Sequence, residues 1–308
     1  MNYHTSVLLE ESVNLLNIDP NGIYVDATFG GGGHSREILK RMKNGRLIAI
    51  DQDADAHKNA IQDDRFELHR GNFRFIKNYL RFTDALPVDG ILADFGLSSY
   101  QIDEAERGFS FSKEAELDMR MNRNAVKSAK EILNTADVDT LNRIFRHYGE
   151  IPNSYRLADA LVKSRSDKAI ISTADLQKIA TKFARPGKEN KFLAQVFQAL
   201  RIEVNDEMGA LREFLERSYE CLKTGGRLVL ISYHSLEDRL VKDFFREEFE
   251  LSNIESQLMG HKSLKWNLIT RKAQVPDEDE QNLNSRSRSA KLRAAEKAEL
   301  PGKGDRYE

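Results

Sequence analysis

Residues 23–42 read IYVDATFGGGGHSREILKRM, and this stretch decides the fold. Residues 23–29 form a short apolar run with the length of a buried strand. The run ends in four glycines, Gly30 to Gly33, and residues 34–42 then carry apolar side chains at helical spacing. Strand, glycine turn and helix open a βαβ unit. The alternation continues outward. Residues 46–51 (RLIAID) read as a second buried strand, followed by a helix through Ala60. Residues 65–68 read as a weaker third strand, 73–82 as a third helix and 89–94 (DGILAD) as a fourth strand. This spacing predicts an α/β fold: a Rossmann-like, doubly wound, mostly parallel sheet covered on both faces.

After Phe95 the apolar residues recur at helical spacing. Ile132, Leu133, Val138, Leu141 and Ile144 are one such set, and Leu157, Leu161 and Val162 another. The sheet pattern returns with an amphipathic helix over 205–222 closed by Gly225 and Gly226. A buried strand at 227–233 (RLVLISY) and a helix at 236–249 come next, with candidate last strands at 254–259 and 266–271. The expected organisation is a core in two parts, 1–103 and 205–275, interrupted by an all-helical insertion at 104–204. A polar and basic tail, expected to be mobile, spans 276–308.

The chain has 308 residues, enough for a core domain plus an insertion. Its formal net charge is -2, yet between Met119 and Arg201 there are 16 Lys or Arg against 8 Asp or Glu. Such asymmetry fits a polyanionic partner or a solvated helical surface. One cysteine, Cys221, allows no internal disulfide, and no apolar run reaches the length of a membrane helix. A cytoplasmic protein without a membrane role is expected.

The glycine turn narrows the chemistry. Four glycines let the backbone approach a ligand closely, and the helix behind them offers free N–H groups. A dinucleotide fingerprint counted from Gly30 and Gly32 needs glycine where Ser35 stands, and no phosphate-loop Gly-Lys-Ser/Thr occurs. Asp26, Thr28, Gly30 and Gly32 instead resemble the first motif of class I S-adenosylmethionine-dependent methyltransferases, with Thr28 where glycine is usual. Asp51, 18 residues after Gly33, stands where a carboxylate can accept hydrogen bonds from two ribose hydroxyls. Asp94 ends the fourth strand, and Tyr233, His234 and Ser235 follow the fifth. In such sheets ligands bind beyond the carboxyl ends of the strands. No zinc-like spacing of His and Cys occurs, so no metal is expected. Cys221 falls in a helix and reads as a packed residue.

Longer segments carry a more specific resemblance. They include DATFGGGGHS at 26–35, DGILADFGLSSYQID at 89–103, ERGFSF at 106–111, LDMRM at 117–121, HSLEDR at 234–239 and RSRSAKLR at 286–293. In this order and spacing they resemble the MraW family of bacterial 16S rRNA cytidine-N4 methyltransferases, nearly end to end. The resemblance implies a class I methyltransferase core with a helical insertion. It implies S-adenosylmethionine as cofactor and 16S rRNA in the 30S subunit as partner. It assigns cofactor contact to Gly32, Gly33, His34, Asp51, Phe73, Asp94 and Gln101. Phe73 and Gln101 come from the resemblance alone. Departures are Tyr100 and Ser285, where the family usually has Pro, and KFLAQ at 191–195, where it usually has His-Pro-Ala-Thr-Arg.

Asp94 is expected to orient the amine, with Ser98, Tyr233, His234 and Ser235 lining the base pocket. Arg201, Arg286, Arg288, Lys291 and Arg293 are expected to touch RNA, with a structural ion pair as the equal alternative for Arg201, which follows a helical apolar run. Rival readings are a same-fold methyltransferase for DNA or a protein amine, a ribosome-binding factor without catalysis, and a nicotinamide-dependent oxidoreductase. Asp94-Phe95-Gly96-Leu97 disfavours the first, because such enzymes often have Asp or Asn followed by Pro-Pro-Tyr there. The intact glycine turn disfavours the second, and the missing third glycine the last.

Overall fold

The computed structural model describes residues 6–96, 107–122, 124–247 and 264–299. The chain divides into two compact units. One joins Met1–Gly96 to Ala210–Glu308; the other is Leu97–Gly209.

The first unit opens with helix α1 (Leu9–Leu16), strand β1 (Ile23–Asp26) and helix α2 (Gly33–Arg41), followed by β2 (Arg46–Asp51) and β3 (Phe66–Arg70). Helix α3 (Ile76–Phe82) and β4 (Val88–Asp94) complete its first part. The sheet order is β3-β2-β1-β4 and then β5 (Leu222–Ser232), β7 (Lys291–Lys297) and β6 (Trp266–Leu268). Strands β1 to β5 run parallel to one another, whereas β7 is antiparallel to β5 and β6. Val25, Ile48, Leu92 and Val229 are fully buried, as a sheet covered on both faces requires. This is the doubly wound α/β fold of class I methyltransferases, with its switch of strand order between β1 and β4. Asp26, Asp51 and Asp94 end β1, β2 and β4, so three carboxylates line the edge where such sheets bind ligands.

The second unit holds the helices α4 (Ala129–Thr135), α5 (Val138–His147), α6 (Ser154–Asp167), α7 (Thr173–Ala180) and α8 (Glu189–Asn205). Ser128 and Ser172 close capping boxes on α4 and α7, and Asp137 caps α5. Leu133, Leu141, Phe145, Leu157, Leu176 and Leu200 join one buried core. Helix α9 (Glu207–Cys221) leads back toward β5, which α10 (Ser235–Phe244) follows. Among the described residues no helix is long and apolar enough to cross a membrane.

Several expectations are corrected. The helix predicted through Ala60 is a 3₁₀ turn, Ala56–Asn59. The helix predicted to close at Gly225 and Gly226 ends at Cys221, and β5 runs through both glycines. Between the pairs Val88–Leu222 and Gly90–Arg227 the register shifts. The extra residues form a bulge held by an ion pair between Lys223 and Asp89, with Gly225 at φ +77°. The strand expected at 266–271 shortens to three residues, and the one expected at 254–259 lies outside the described residues. The largest correction concerns the tail. After a short helix, α11 (Glu278–Leu283), and a 3₁₀ turn at Ser285–Ser289, β7 enters the sheet between β5 and β6. Its sequence, KLRAAEK, is built of helix formers; the open slot beside β5 overrides that propensity.

Candidate active site

The glycine turn is built to hold Asp51. Gly30 and Gly32 have φ of +53° and +76°, the left-handed region that glycine occupies without steric cost. A Cβ at Gly32 would stand 2.8 Å from the Phe29 ring, whereas one at Gly31 would meet nothing within 4 Å. The turn is therefore tight on its protein side and open at Gly31. The Gly30 N–H donates to Asp51 Oδ2 at 2.7 Å, and the Asp53 N–H donates to Oδ1 at 2.8 Å. Each oxygen keeps a lone pair for another donor. Burial pushes the Asp51 carboxyl up to about 6; the two N–H bonds oppose the rise, and the charges of Asp53 and Asp26 add to it.

Asp26 lies fully buried beneath the turn. It accepts the Ser35 hydroxyl at 2.6 Å and the Thr28 N–H at 3.2 Å, which joins β1 to the first turn of α2. His34 is buried, and its Nε2 meets the Val7 carbonyl at 3.2 Å. Its ring thus ties α2 to the segment before α1.

Asp94 is framed from two sides. Its backbone N–H donates to Thr28 Oγ1 at 2.6 Å. Its carboxylate accepts the Tyr233 hydroxyl and, at 3.2 Å, the Gly96 N–H. Burial raises the Asp94 pKa, against the pull of these bonds and of His34. Burial, with the Asp94 charge behind it, also raises the Tyr233 phenol well above its ordinary value. A Cβ at Gly96 would stand 2.7 Å from the Tyr233 ring, so glycine there lets the ring approach. Tyr233 is itself fixed by Glu237, whose carboxylate accepts the Tyr233 N–H at 2.8 Å and the His234 N–H at 3.3 Å. His234 caps α10 through Nδ1, which accepts the Glu237 N–H. Ser235 is exposed in the first turn of α10.

Phe73 stands in a 3₁₀ turn capped by Asn72. Its ring centroid lies 5.8 Å from that of Phe95 and 5.2 Å from that of Phe214 on α9. Asn72 also donates to Gln52 at 3.0 Å, joining the loops after β2 and β3. Sequence reading missed Phe95 and Phe214 as parts of the site. Phe95 directly follows Asp94, which is a signal that was there to use; Phe214 reads only as helix core. Ser98 and Gln101 lie outside the described residues.

The cations expected to meet RNA are placed differently from one another. Arg201 holds Glu207 through two bonds of 2.9 Å. Lys291 and Arg293, on β7, both bind Asp238, at 3.0 and 2.7 Å. Arg286 and Arg288 stand on the 3₁₀ turn before β7, the second exposed. The expected mobile Arg-rich tail is thus an ordered turn and strand.

The profile of the MraW methylase family matches residues 1–298. The ribosomal RNA small subunit methyltransferase H of Cytophaga hutchinsonii is 52% identical over 297 residues, covering 96% of this chain and 99% of that protein. The protein of the same name from Bacteroides thetaiotaomicron is 50% identical, covering 96% and 98%. That from Flavobacterium johnsoniae is also 50% identical, with the same coverage. With a profile match along nearly its whole length and relatives identical at half their positions, the chain belongs to the MraW methylase family.

Proposed function

We propose that the chain transfers a methyl group from S-adenosylmethionine to the exocyclic N4 of a cytidine in the decoding region of 16S rRNA, within the small ribosomal subunit of the cytoplasm. The relatives' shared name supports a ribosomal RNA substrate. The observation that carries the reading is the framing of Asp94 at the end of β4, beside the glycine turn.

The residues fit such a cofactor. The turn leaves open space at Gly31, and Asp51 keeps acceptor capacity on both oxygens for the two ribose hydroxyls. Phe73 offers an aromatic edge for the adenine. When bound, S-adenosylmethionine supplies an electrophilic methyl group. The chain's task is then to present a poor nucleophile, because the cytosine amine shares its lone pair with the ring. Asp94 accepts an amine N–H, which favours localisation of that lone pair and positions the nitrogen for attack. The Tyr233 hydroxyl and Gly96 N–H hold the Asp94 carboxylate in place. His234 and Ser235 are the residues proposed to line the pocket for a base drawn out of its stack, together with Ser98, which lies outside the described residues.

The test is methyl transfer from labelled S-adenosylmethionine to small subunits from cells lacking this enzyme, with mass spectrometry of the digested nucleosides. Label in N4-methylated cytidine at one decoding-region position supports the reading. Cofactor binding with label only in DNA, protein or another nucleoside would replace the substrate, and absence of cofactor binding would sink the reading.

A further inference from the structure

Cations of the helical unit fall into two groups. Many are neutralised locally: Arg120 by Asp118, Arg143 by Glu203, Lys163 by Asp159 and Lys168 by Asp175. A different pattern holds in the 14 residues from Lys178 to Lys191, which run from the last turn of α7 into the first turn of α8. Here Lys178, Lys182, Arg185, Lys188 and Lys191 face a single acid, Glu189. All five are exposed. Among the described residues none makes a side-chain ion pair or hydrogen bond, and Glu189 instead accepts the Gly187 N–H at 3.0 Å.

Helix energetics explain Lys178, in the last turn of α7, but not the cations at the start of α8. Lys188 stands at the N-cap of α8 with no capping side chain, and Lys191 lies in its first turn. Ser, Thr, Asp or Asn would satisfy the free N–H groups there, and a cation opposes the helix dipole. The same unit places Ser128, Asp137 and Ser172 correctly at three other helix starts. The cations at α8 therefore cost local stability that the sequence avoids elsewhere. Gly187, at φ +74° with open space around its Cβ position, turns the chain between them.

We infer that this basic turn, residues 178–191, is a docking surface for the phosphate backbone of RNA. The inference rests on the proposed rRNA substrate and names the part of the chain that grips it. Arg201, Lys291 and Arg293 are already held by carboxylates; these five cations are available without breaking an existing pair. Several lysines and an arginine on one connection suit a sequence-independent grip that fixes register and leaves base choice to the pocket.

The experiment compares the full-length protein with a variant carrying Lys→Gln at 178, 182, 188 and 191 and Arg185→Gln. Lys163→Gln/Lys168→Gln, which removes only paired surface cations, is the control. Binding to small subunits and to bare 16S rRNA is measured across a salt series, together with S-adenosylmethionine binding and methyl transfer. The five-site variant is expected to keep its cofactor affinity. Its KM for subunits should rise about tenfold or more, and its salt slope should flatten by about 0.7 for each phosphate that the variant no longer engages. The control should stay within about twofold of wild type. Should the five-site variant fold poorly, Lys182→Glu/Lys188→Glu gives the same readout from two exposed positions. Unchanged affinity and slope in a folded variant overturn the docking surface while leaving the proposed reaction intact. Salt-dependent binding abolished in the variant, with no cytidine methylated by wild type, overturns the reaction and keeps the surface. Loss of binding to an acidic protein probe but not to RNA would assign the turn to a protein partner and overturn the inference.

Discussion

The Thr28 hydroxyl accepts the backbone N–H of Asp94 at 2.6 Å. The two residues stand just beyond β1 and at the end of β4, where the sheet changes direction. The last backbone rung between these strands is the Ala27 N–H to the Leu92 carbonyl. The hydroxyl thus adds one rung past the ladder and fixes the backbone of the residue proposed to hold the amine. Glycine, usual at this motif position in the methyltransferases that the turn resembles, cannot do so. Thr28→Val keeps the shape and leaves a donor unsatisfied, a cost of about 1–3 kcal/mol. Methyl transfer is expected to slow about 10- to 100-fold, with cofactor affinity nearly unchanged. Thr28→Ser should restore most of the rate. Asp94→Ala should lose about a hundredfold or more. Equal rates in Thr28→Val and wild type, measured in single turnover, would remove the hydroxyl from the positioning frame.

Asp51 gives the site a pH dependence. Its carboxyl titrates at about 6 in the folded protein against an ordinary value of 3.8, chiefly through burial. Between those values the folded chain binds the proton that the unfolded chain releases. The group's contribution to stability therefore falls as pH rises through that window. Cofactor binding runs the other way, since ribose hydroxyls are accepted best by the ionised carboxylate. Affinity for S-adenosylmethionine should drop about tenfold between pH 7 and pH 5. Asp51→Asn should bind weakly at both pH values with a flatter profile, as calorimetry in matched buffers can measure. A flat wild-type profile would contradict the assignment.

What the sequence made legible follows a physical divide. Asp26, Asp51 and Asp94 could be read because a carboxylate ending an apolar run, with glycines close by, carries its meaning locally. The strand-helix alternation through residue 94 was legible for the same reason, since periodicity is a local signal, except after β2, where a 3₁₀ turn replaces the expected helix. Strand β7 was not, because Ala294, Ala295 and their Lys and Arg neighbours are helix formers held extended only by pairing with β5 and β6. The fates of Lys291 and Arg293 were hidden too. A cation shows its charge in sequence, but not the carboxylate across the fold that neutralises it.

The glycines of the turn should separate by what surrounds them. Gly32 sits at φ +76°, and an added Cβ would stand 2.8 Å from two atoms of the Phe29 ring. Gly32→Ala should therefore lower stability by about 1–3 kcal/mol through backbone strain and overpacking. A Cβ at Gly31 meets nothing within 4 Å, so Gly31→Ala should leave the melting temperature of the cofactor-free protein nearly unchanged. If the cofactor passes over the turn, the same variant should bind it more weakly. Thermal melts with and without S-adenosylmethionine distinguish the two effects. A Gly31→Ala protein stabilised by cofactor as much as wild type would place the ligand elsewhere.

The chain's last described segment should be indispensable. Strand β7 lies between β5 and β6, with Leu292, Ala294 and Ala295 buried. Ending the chain at residue 289 strips a paired strand from the sheet and exposes the β5 edge, so the product should fail to fold or should aggregate. Ending it at residue 299 retains the whole of β7 and should leave the melting temperature close to that of the full chain. The strand is also locked to α10. Burial works against the charge of Asp238, yet the bonds from Arg293 and Lys291 outweigh it and hold its carboxyl below the ordinary value. Asp238→Ala leaves Arg293, 13% exposed, without that partner. It should cost about 1.5–3 kcal/mol near neutral pH. Because the depressed carboxyl stabilises the fold only while ionised, the gap between variant and wild type should narrow as pH falls through its lowered pKa. Denaturant melts at pH 7 and at acid pH test both parts, and a cooperative melt from the 289-residue chain would show that β7 is an accessory strand, not part of the sheet's foundation.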